Sequence, residues 1–337
     1  MLKLIFPTIF LFYFLASSNA IAQTFDEIFD SCLIEKIKTS DKNAKLKTIE
    51  DLCEIEVVKK HLGGQELGAM TERIIKEKKT AFNPYVITPH KMNYILPVTI
   101  TDSINNNAYD GYSNWKEHLK NVESKFQLSI KVPLTTGSII TNGDQLFFGF
   151  TLESWWQVYT GDISRPFRET NYQPEIFYFT PTNWHPFNTN SALIFGFEHQ
   201  SNGRSELLSR SWNRIYATFL FEKKNLAVSF RPWYRIPEGD KATTIDSVGD
   251  DNPDINDYMG YFELGVVYKL NRKYELSMKF RESFSKHNGA IELGITFPLW
   301  GKLRGYAQYF NGYGESLIDY NYKQQRLGIG FALTDIL

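Results

Sequence analysis

The chain has 337 residues, of which 42% are hydrophobic, 15% aromatic and 22% charged, and its formal net charge is -1. This balance argues against a nucleic-acid binder, which needs a clustered basic excess, and the 26 Phe, 19 Tyr and 7 Trp residues argue against a disordered chain. The mean hydropathy is nevertheless -0.33. Abundant rings with low hydropathy are typical of two classes, a soluble all-β domain and a transmembrane β-barrel in which apolar and polar residues alternate.

The first 22 residues have the pattern of a cleaved secretory signal peptide. Lys3 supplies the positive charge, residues 4–15 the apolar segment, and Ala-Ile-Ala at 20–22 the cleavage site, with cleavage two residues earlier as the alternative. A helical anchor is disfavoured because the run is shorter than the roughly 20 residues a spanning helix needs and Pro7 interrupts it. We therefore expect the mature chain to be exported.

Residues 23–85 are predicted to form a small helical extension in the periplasm. The segment is rich in Glu, Lys, Leu and Ile, and apolar residues recur at helical spacing around Ile49 and Leu52. In an oxidising compartment, a cysteine pair without CxxC spacing is more often a disulfide than a metal or redox site. We therefore expect two or three short helices, with the first two joined by a Cys32–Cys53 disulfide.

From about residue 93 the hydrophobic period changes from helical to two. In residues 126–132, for example, Phe, Leu, Ile and Val alternate with Gln, Ser and Lys. Such alternation predicts a sheet with one apolar face. Twelve strands are predicted, near residues 93–100, 125–133, 144–157, 174–181, 191–201, 212–222, 225–234, 258–270, 273–282, 288–297, 301–311 and 324–335.

Alternation alone does not separate a soluble sandwich from an outer-membrane barrel. Four features favour the barrel: strands of up to about ten residues, aromatic residues near strand ends that suit interfacial girdles, export of the mature chain, and an even strand number. The aromatic residues meant are Trp155, Trp156, Trp212, Tyr216, Trp233, Tyr234 and Tyr258. We therefore predict an all-β fold in which residues 86–337 form a twelve-stranded antiparallel transmembrane β-barrel in the cell outer membrane.

One predicted hairpin places polar residues on the apolar face. His199 and Ser201 share the parity of Phe197, and Asn213 shares the parity of the apolar residues that follow it. A hairpin centred on Glu206 would set Asn213 across from His199, with Cβ atoms about 4.5–5.5 Å apart. A slip of one residue in this register would separate them.

These three residue types in one place suggest nucleophilic catalysis. A serine needs an adjacent base to become a nucleophile, and the base needs a group that fixes its tautomer. Ser201, His199 and Asn213 fit the roles of nucleophile, general base and orienting group. A lone His or Ser at a strand end is more often a harmless residue at the membrane rim, and a lone Asn at a strand start is more often a turn residue. A neutral Asn also gives an imidazolium less electrostatic support than a carboxylate.

At these residues the sequence resembles the outer-membrane phospholipase A family. The resemblance covers roughly residues 85–337 and leaves out the extension that carries the cysteines. The matching segments are residues 198–205 (EHQSNGRS), 209–214 (SRSWNR), 154–157 (SWWQ), 166–172 (PFRETNY), 250–254 (DDNPD) and 312–321 (GYGESLIDYN).

The resemblance implies a calcium-dependent, serine-type phospholipase with A1, A2 and lysophospholipase activity that becomes active as a homodimer. It implies the catalytic roles given above for Ser201, His199 and Asn213. It also implies Ca²⁺ as the cofactor and membrane phospholipids as the substrate, while the balanced charge already argues against a nucleic-acid partner. The implied calcium ligands are the Arg204 carbonyl, the Ser209 hydroxyl and the Ser164 carbonyl of a second copy. Glu206 and Asp251 are implied at a weaker second calcium position. The implied donor to the oxyanion is the Gly203 N–H.

One residue departs from the family pattern. Where family members have a glutamine that hydrogen-bonds across the dimer face, this chain has Leu152. Dimerisation would then rest on apolar packing and a shared ion. Two other hypotheses remain at this stage: a passive outer-membrane channel or structural barrel, and a soluble secreted β-sandwich.

Overall fold

The computed structural model describes residues 25–40, 45–61, 67–110, 113–243, 246, 248–271, 273–301 and 303–337. The predicted signal peptide, residues 1–22, lies outside these ranges. The chain divides into two compact units, Met1–Val57 and Val58–Leu337. Within the described ranges, no helix is long and apolar enough to cross a membrane.

The first unit contains α1 (Phe25–Thr39) and most of α2 (Leu46–His61). Cys32 of α1 and Cys53 of α2 form a disulfide. Both cysteines are buried with Ile49 in a small core, against which Phe29 packs. A core of this size supplies little hydrophobic stabilisation, so the covalent link is an important constraint on the helix pair.

The second unit is a closed antiparallel barrel. The two-residue strand β1 (Thr88–Pro89) pairs with β3 beyond the part of β3 that pairs with β2. Strands β2 to β13 each pair with the next strand along the chain, and β13 pairs with β2. The prediction of twelve barrel strands is confirmed. Their bounds are β2 Tyr94–Thr101, β3 Val122–Pro133, β4 Gln145–Trp156, β5 Phe167–Thr182, β6 Asn190–Ser201, β7 Ser211–Lys223, β8 Leu226–Ile236, β9 Phe262–Leu270, β10 Tyr274–Ser283, β11 Asn288–Trp300, β12 Leu303–Tyr313 and β13 Lys323–Ala332.

The apolar face of the sheet points outward. Leu128 is 50% exposed and Phe197 44%, whereas their neighbours Ser129 and Glu198 are 0% and 1% exposed. A soluble sandwich would bury its apolar face and expose its polar one. The opposite arrangement, in a closed sheet, is that of a barrel whose surroundings are lipid, and the sandwich hypothesis is wrong.

Ion pairs fill the lumen. The fully buried Lys125 ammonium lies 3.1 Å from both the Glu153 and the Glu315 carboxylates, and the Arg168 guanidinium lies 3.0 Å from Glu123. A cavity of about 390 Å³ remains, lined by both signs of charge. A lumen packed in this way argues against an open channel.

Two predicted strand starts are wrong. β5 begins at Phe167 rather than 174, because a bulge opposite Trp155 and Trp156 lets the consecutive charged pair Arg168 and Glu169 both point inward. β9 begins at Phe262 rather than 258, because residues 255–259 form the short helix α5.

The predicted aromatic girdle is also largely wrong. Trp155, Trp212 and Trp233 are buried, as is Tyr216, and Tyr234 is exposed. Strand parity explains the difference, since of two adjacent residues only one can face lipid. Exposed rings do occur at the opposite rim, the end of the barrel away from residues 202–210, at Trp184, Phe187 and Trp300.

Helix α3 (Ala69–Thr80) belongs to the barrel unit, although we expected the extension to continue to residue 85. The Glu222 carboxylate at the end of β7 accepts hydrogen bonds from the amides of Met70 and Thr71. The helix's own N-cap residue forms no side-chain hydrogen bond to these amides, so the Glu222 carboxylate caps the helix N-terminus instead.

The rest of α3 is bound at two more points around the same rim. The Arg73 guanidinium donates to the Ile336 carbonyl at 2.5 Å, and Glu77 pairs with Lys131 at 2.7 Å. Contacts to β7, to β3 and to the C-terminal segment hold the helix across the opposite rim.

A candidate active site on the outer barrel face

The candidate site lies where β6 ends and β7 begins, on either side of residues 202–210. In the β6–β7 register, His199 is paired with Asn213, so the predicted hairpin register is confirmed. Because exposed Phe197 and buried Glu198 fix the parity of β6, His199 and Ser201 belong to the outward, lipid-facing set.

His199 and Asn213 are joined by a hydrogen bond. His199 Nδ1 lies 2.9 Å from Asn213 Oδ1, and Asn213 Nδ2 donates to Glu238 Oε1 at 2.9 Å. A carboxylate only accepts, so the Asn213 amide must turn its nitrogen to Glu238 and its oxygen to the imidazole. The His199 Nδ1 therefore carries the proton, and the Nε2 lone pair is free to act as a base.

Ser201 is the last residue of β6 and lies on the same face two residues beyond His199. Its register partners are Ser211 on β7 and Tyr172 on β5. Among the described contacts, no hydrogen bond joins the Ser201 hydroxyl to His199. Such contacts are often long in a protein without substrate and tighten when substrate binds.

The loop after Ser201 is organised by the buried Asn202. Its Oδ1 accepts from the amides of Arg204 at 3.2 Å and Arg210 at 3.0 Å, and its Nδ2 donates to the Leu208 carbonyl at 2.8 Å. Gly203 has φ +63°, a left-handed conformation that favours glycine. The loop therefore has a defined conformation directly beside Ser201.

The predicted calcium groups are only partly brought together. The Ser209 hydroxyl donates to Asp251 Oδ2 at 2.7 Å, and Lys241 forms an ion pair with the same carboxylate. The Arg204 guanidinium donates to the Phe167 carbonyl at 2.8 Å, which anchors the loop between Ser201 and Ser209.

Glu206 and Ser164, the other predicted calcium residues, are both exposed. The described part of the chain contains no cluster of three or more His, Cys, Asp or Glu residues that could hold a metal. The groups predicted here are chiefly carbonyl and hydroxyl oxygens with one or two carboxylates. An all-oxygen set of this kind suits a hard cation such as Ca²⁺.

Sequence reasoning missed Asn202, Glu238 and Asn252. Asn252 is buried, and its Oδ1 accepts from the Ser211 amide at 3.1 Å, so it holds the start of β7. Asn202 and Asn252 both lie inside the motifs already singled out, where a buried amide could have been suspected. Glu238 lies outside every motif, in a long connection whose path the sequence pattern does not reveal.

A closed barrel with an apolar exterior is an integral outer-membrane protein, and the residues predicted to be catalytic, His199, Ser201 and Asn213, lie close together on its outer face. A family model described as Phospholipase A1 matches residues 70–333. Phospholipase A1 of Klebsiella pneumoniae is 40% identical over 255 residues, which cover 75% of this chain and 84% of that protein.

Solved structures agree with this match. Outer membrane phospholipase A from Escherichia coli superposes with a TM-score of 0.71 and 37% identity, covering 78% of this chain and 98% of that one. The Salmonella typhi outer membrane phospholipase, solved as a dimer with bound calcium, has the same TM-score and coverage and 39% identity. The chain belongs to the phospholipase A1 family and is a protein of the cell outer membrane.

Proposed function

We propose that this chain is a calcium-dependent serine hydrolase that cleaves acyl ester bonds of membrane phospholipids, at the A1 and A2 positions and in lysophospholipids. The observation that carries the proposal is the His199–Asn213 hydrogen bond on the lipid-facing side of the barrel, two residues from Ser201. A site on that face receives its substrate from the bilayer itself.

The proposed reaction uses the chain's own groups in sequence. His199 Nε2 takes the Ser201 proton as Oγ bonds to the ester carbonyl carbon. The proton then passes to the leaving alcohol oxygen as its bond to that carbon breaks. Water, activated by the same nitrogen, releases the fatty acid from Ser201. Asn213 holds the imidazole throughout, and the Gly203 N–H faces the developing oxyanion.

A neutral Asn gives the imidazolium less support than Asp would, so other charge stabilisation is needed. The proposed calcium groups are the Arg204 carbonyl, the Ser209 hydroxyl and the Ser164 carbonyl of a second copy, with Glu206 and Asp251 at a second position. A bound Ca²⁺ would supply positive charge beside the oxyanion. The Salmonella typhi relative, solved as a dimer with bound calcium, supports Ca²⁺ as the ion.

Since the proposed set is completed by a second copy, we propose that the active form is a homodimer. Leu152 lies between Leu128 and Tyr172 in the register of neighbouring strands, and Leu128 and Tyr172 are both exposed. This patch offers apolar packing without a polar contact at Leu152, so dimerisation is expected to depend more on the shared ion.

The test is fatty-acid release from mixed phospholipid–detergent micelles by protein folded in detergent. Wild type is expected to be active with Ca²⁺ and inactive with EDTA, and Ser201→Ala to be inactive in both. Ser285→Ala is the matched control, since Ser285 is exposed at the same end of the barrel, away from the site. Full activity of Ser201→Ala, or of wild type in EDTA, would overturn the corresponding part of the proposal.

A further inference from the structure

The candidate site extends one strand further than the three residues already described. His199 on β6 is paired in register with Asn213 on β7, and Asn213 is paired with Ile236 on β8. Glu238 lies two residues beyond Ile236, at the start of the connection that follows β8. The Glu238 carboxylate accepts from Asn213 Nδ2 at 2.9 Å, so hydrogen bonds run from β6 through β7 to the residue just after the end of β8.

The backbone around Glu238 is fixed by contacts on both sides. The Gly239 carbonyl accepts from the Asp250 amide at 2.7 Å, which closes the base of the long β8–β9 connection. The Arg235 guanidinium, whose side chain is buried, binds both oxygens of Asp250 at 2.6 Å and the Pro253 carbonyl at 3.1 Å. Glu238 is thus held in place rather than carried on a free loop.

We propose that Glu238 is a positioning residue that acts on His199 through Asn213, so that the site is a Ser–His–Asn–Glu relay. The inference rests on the proposed function. The carboxylate accepts from the amide nitrogen and so fixes which end of Asn213 faces His199. Its negative charge also polarises the amide, which makes Asn213 Oδ1 a stronger acceptor from the imidazole.

The relay supplies part of the electrostatic stabilisation of the imidazolium that a triad with Asp in place of Asn obtains directly. When His199 Nε2 takes the Ser201 proton, the ring becomes positive, and the Glu238 charge stabilises it across one intervening amide. No proton needs to leave Nδ1 or Asn213 during the cycle, and Glu238 stays an acceptor throughout. This stabilisation is strongest where water is scarce, as it is on a lipid-facing surface.

The first part of the test removes the charge and then the contact. Glu238→Gln keeps the shape and an acceptor oxygen, and we expect kcat to fall about 3- to 10-fold; Glu238→Leu removes both and should lower kcat about 10- to 100-fold. KM should stay near wild type, because Glu238 does not touch the substrate. Asp240→Asn removes a charge from an exposed position on the same connection and should have wild-type kcat.

The second part asks whether Glu238 acts through Asn213. Asn213→Asp places a carboxylate against Glu238, and the repulsion should lower activity strongly. Adding Glu238→Gln gives an amide that can donate to the introduced carboxylate, so the double variant should be about tenfold or more as active as Asn213→Asp alone. A residue that only anchors the loop would make the double variant worse. Barrel folding is checked for each variant by the heat-dependent shift in gel migration.

Two results overturn the inference: wild-type kcat in Glu238→Leu, or no recovery of Asn213→Asp by Glu238→Gln. Ser201→Ala, measured in the same series, distinguishes a failure of the relay from a failure of the proposed function. If it is inactive while the Glu238 variants match wild type, only the relay is wrong. If it is fully active, the proposed function itself is wrong.

Discussion

Polar side chains lie both in the lumen and on the outer face of this barrel, but their contacts form different patterns in the two places. In the lumen, Lys125 contacts the carboxylates of Glu153 and Glu315, and Arg326 contacts those of Glu315 and Glu123. Each cation has two anions, and carboxylates are shared, so the lumen contacts form a branched network. On the outer face, His199, Asn213 and Glu238 form a single line.

This difference separates stability from function. A branched, buried network holds charges that would be very costly to leave unpaired, so its members determine whether the barrel is stable. A linear series of hydrogen bonds on a partly exposed surface contributes little to stability. When one of its members is lost, no other contact replaces the missing hydrogen bond. Variants of the two regions should therefore give opposite results.

The sharpest test of this contrast is His199→Ala. Without the base, Ser201 is not activated, and we expect fatty-acid release to fall by about 10³-fold or more. The barrel should be as resistant to heat as wild type, because the imidazole makes its described hydrogen bond only to Asn213. Fatty-acid release and the unfolding temperature are measured on the same preparation. A large drop in unfolding temperature would contradict the proposed separation.

The reciprocal test is Lys125→Met, which removes a buried cation from the lumen at nearly constant shape. Glu153 and Glu315 each lose a partner, and we expect unfolding in urea to show a loss of about 3–5 kcal/mol. Below the unfolding transition the variant should retain calcium-dependent activity, because Lys125 is buried in the lumen and the proposed site lies on the outer face, with β4 and β5 between β3 and β6.

The matched control is Lys286→Met, which breaks an exposed ion pair with Asp257 at 3.6 Å. An exposed pair of this kind contributes about 0–1 kcal/mol. If the Lys125 and Lys286 variants unfold at the same urea concentration, the lumen network is not what stabilises the barrel.

A smaller effect is expected from Ser209→Ala, at the proposed calcium position. Loss of a group that merely orients a metal ligand costs about 10- to 100-fold in affinity, and a direct ligand should cost at least as much. The calcium concentration for half-maximal activity should rise by that factor, with activity recovered at saturating calcium. Ser205→Ala, an exposed serine in the same loop, serves as the control. Equal calcium curves for wild type and Ser209→Ala would exclude the hydroxyl as a ligand.

The parity rule explains what the sequence could and could not reveal. Alternation predicts the twelve strands and the outward position of His199, Ser201 and Asn213, because a strand sends successive side chains to opposite faces. The same rule, applied strictly, removes Trp155 and Trp212 from the girdle, since both point inward. The start of β5 has no such signal, because consecutive inward charges at a bulge break the alternation.

Contacts that depend on long connections have no sequence signal. Glu238 follows β8 in a stretch without periodicity, and its contact with Asn213 exists only because the strands are neighbours and Arg235 holds the base of the connection. The sequence left open whether the extension has a third helix, and the position of α3 depends on Glu222, which lies 152 residues from Met70 in the chain. Local patterns contain no information on such partners.

The smallest effect concerns the opposite rim, where a single carboxylate caps α3. Glu222 accepts from the amides of Met70 at 2.9 Å and Thr71 at 3.0 Å, so Glu222→Gln replaces one acceptor oxygen with a donor that faces other donors. We expect a local loss of about 1 kcal/mol, seen as amide hydrogen exchange in residues 69–80 that is about fivefold faster. Glu72→Gln removes a charge from the first turn of the same helix and should change exchange less.

Fatty-acid release should be unchanged in both variants, because the rim that holds α3 and the rim that holds Ser201 are at opposite ends of β7. If Glu222→Gln lowers that release, the two rims are coupled through the barrel, and the outer face does not act independently of the rest of the fold.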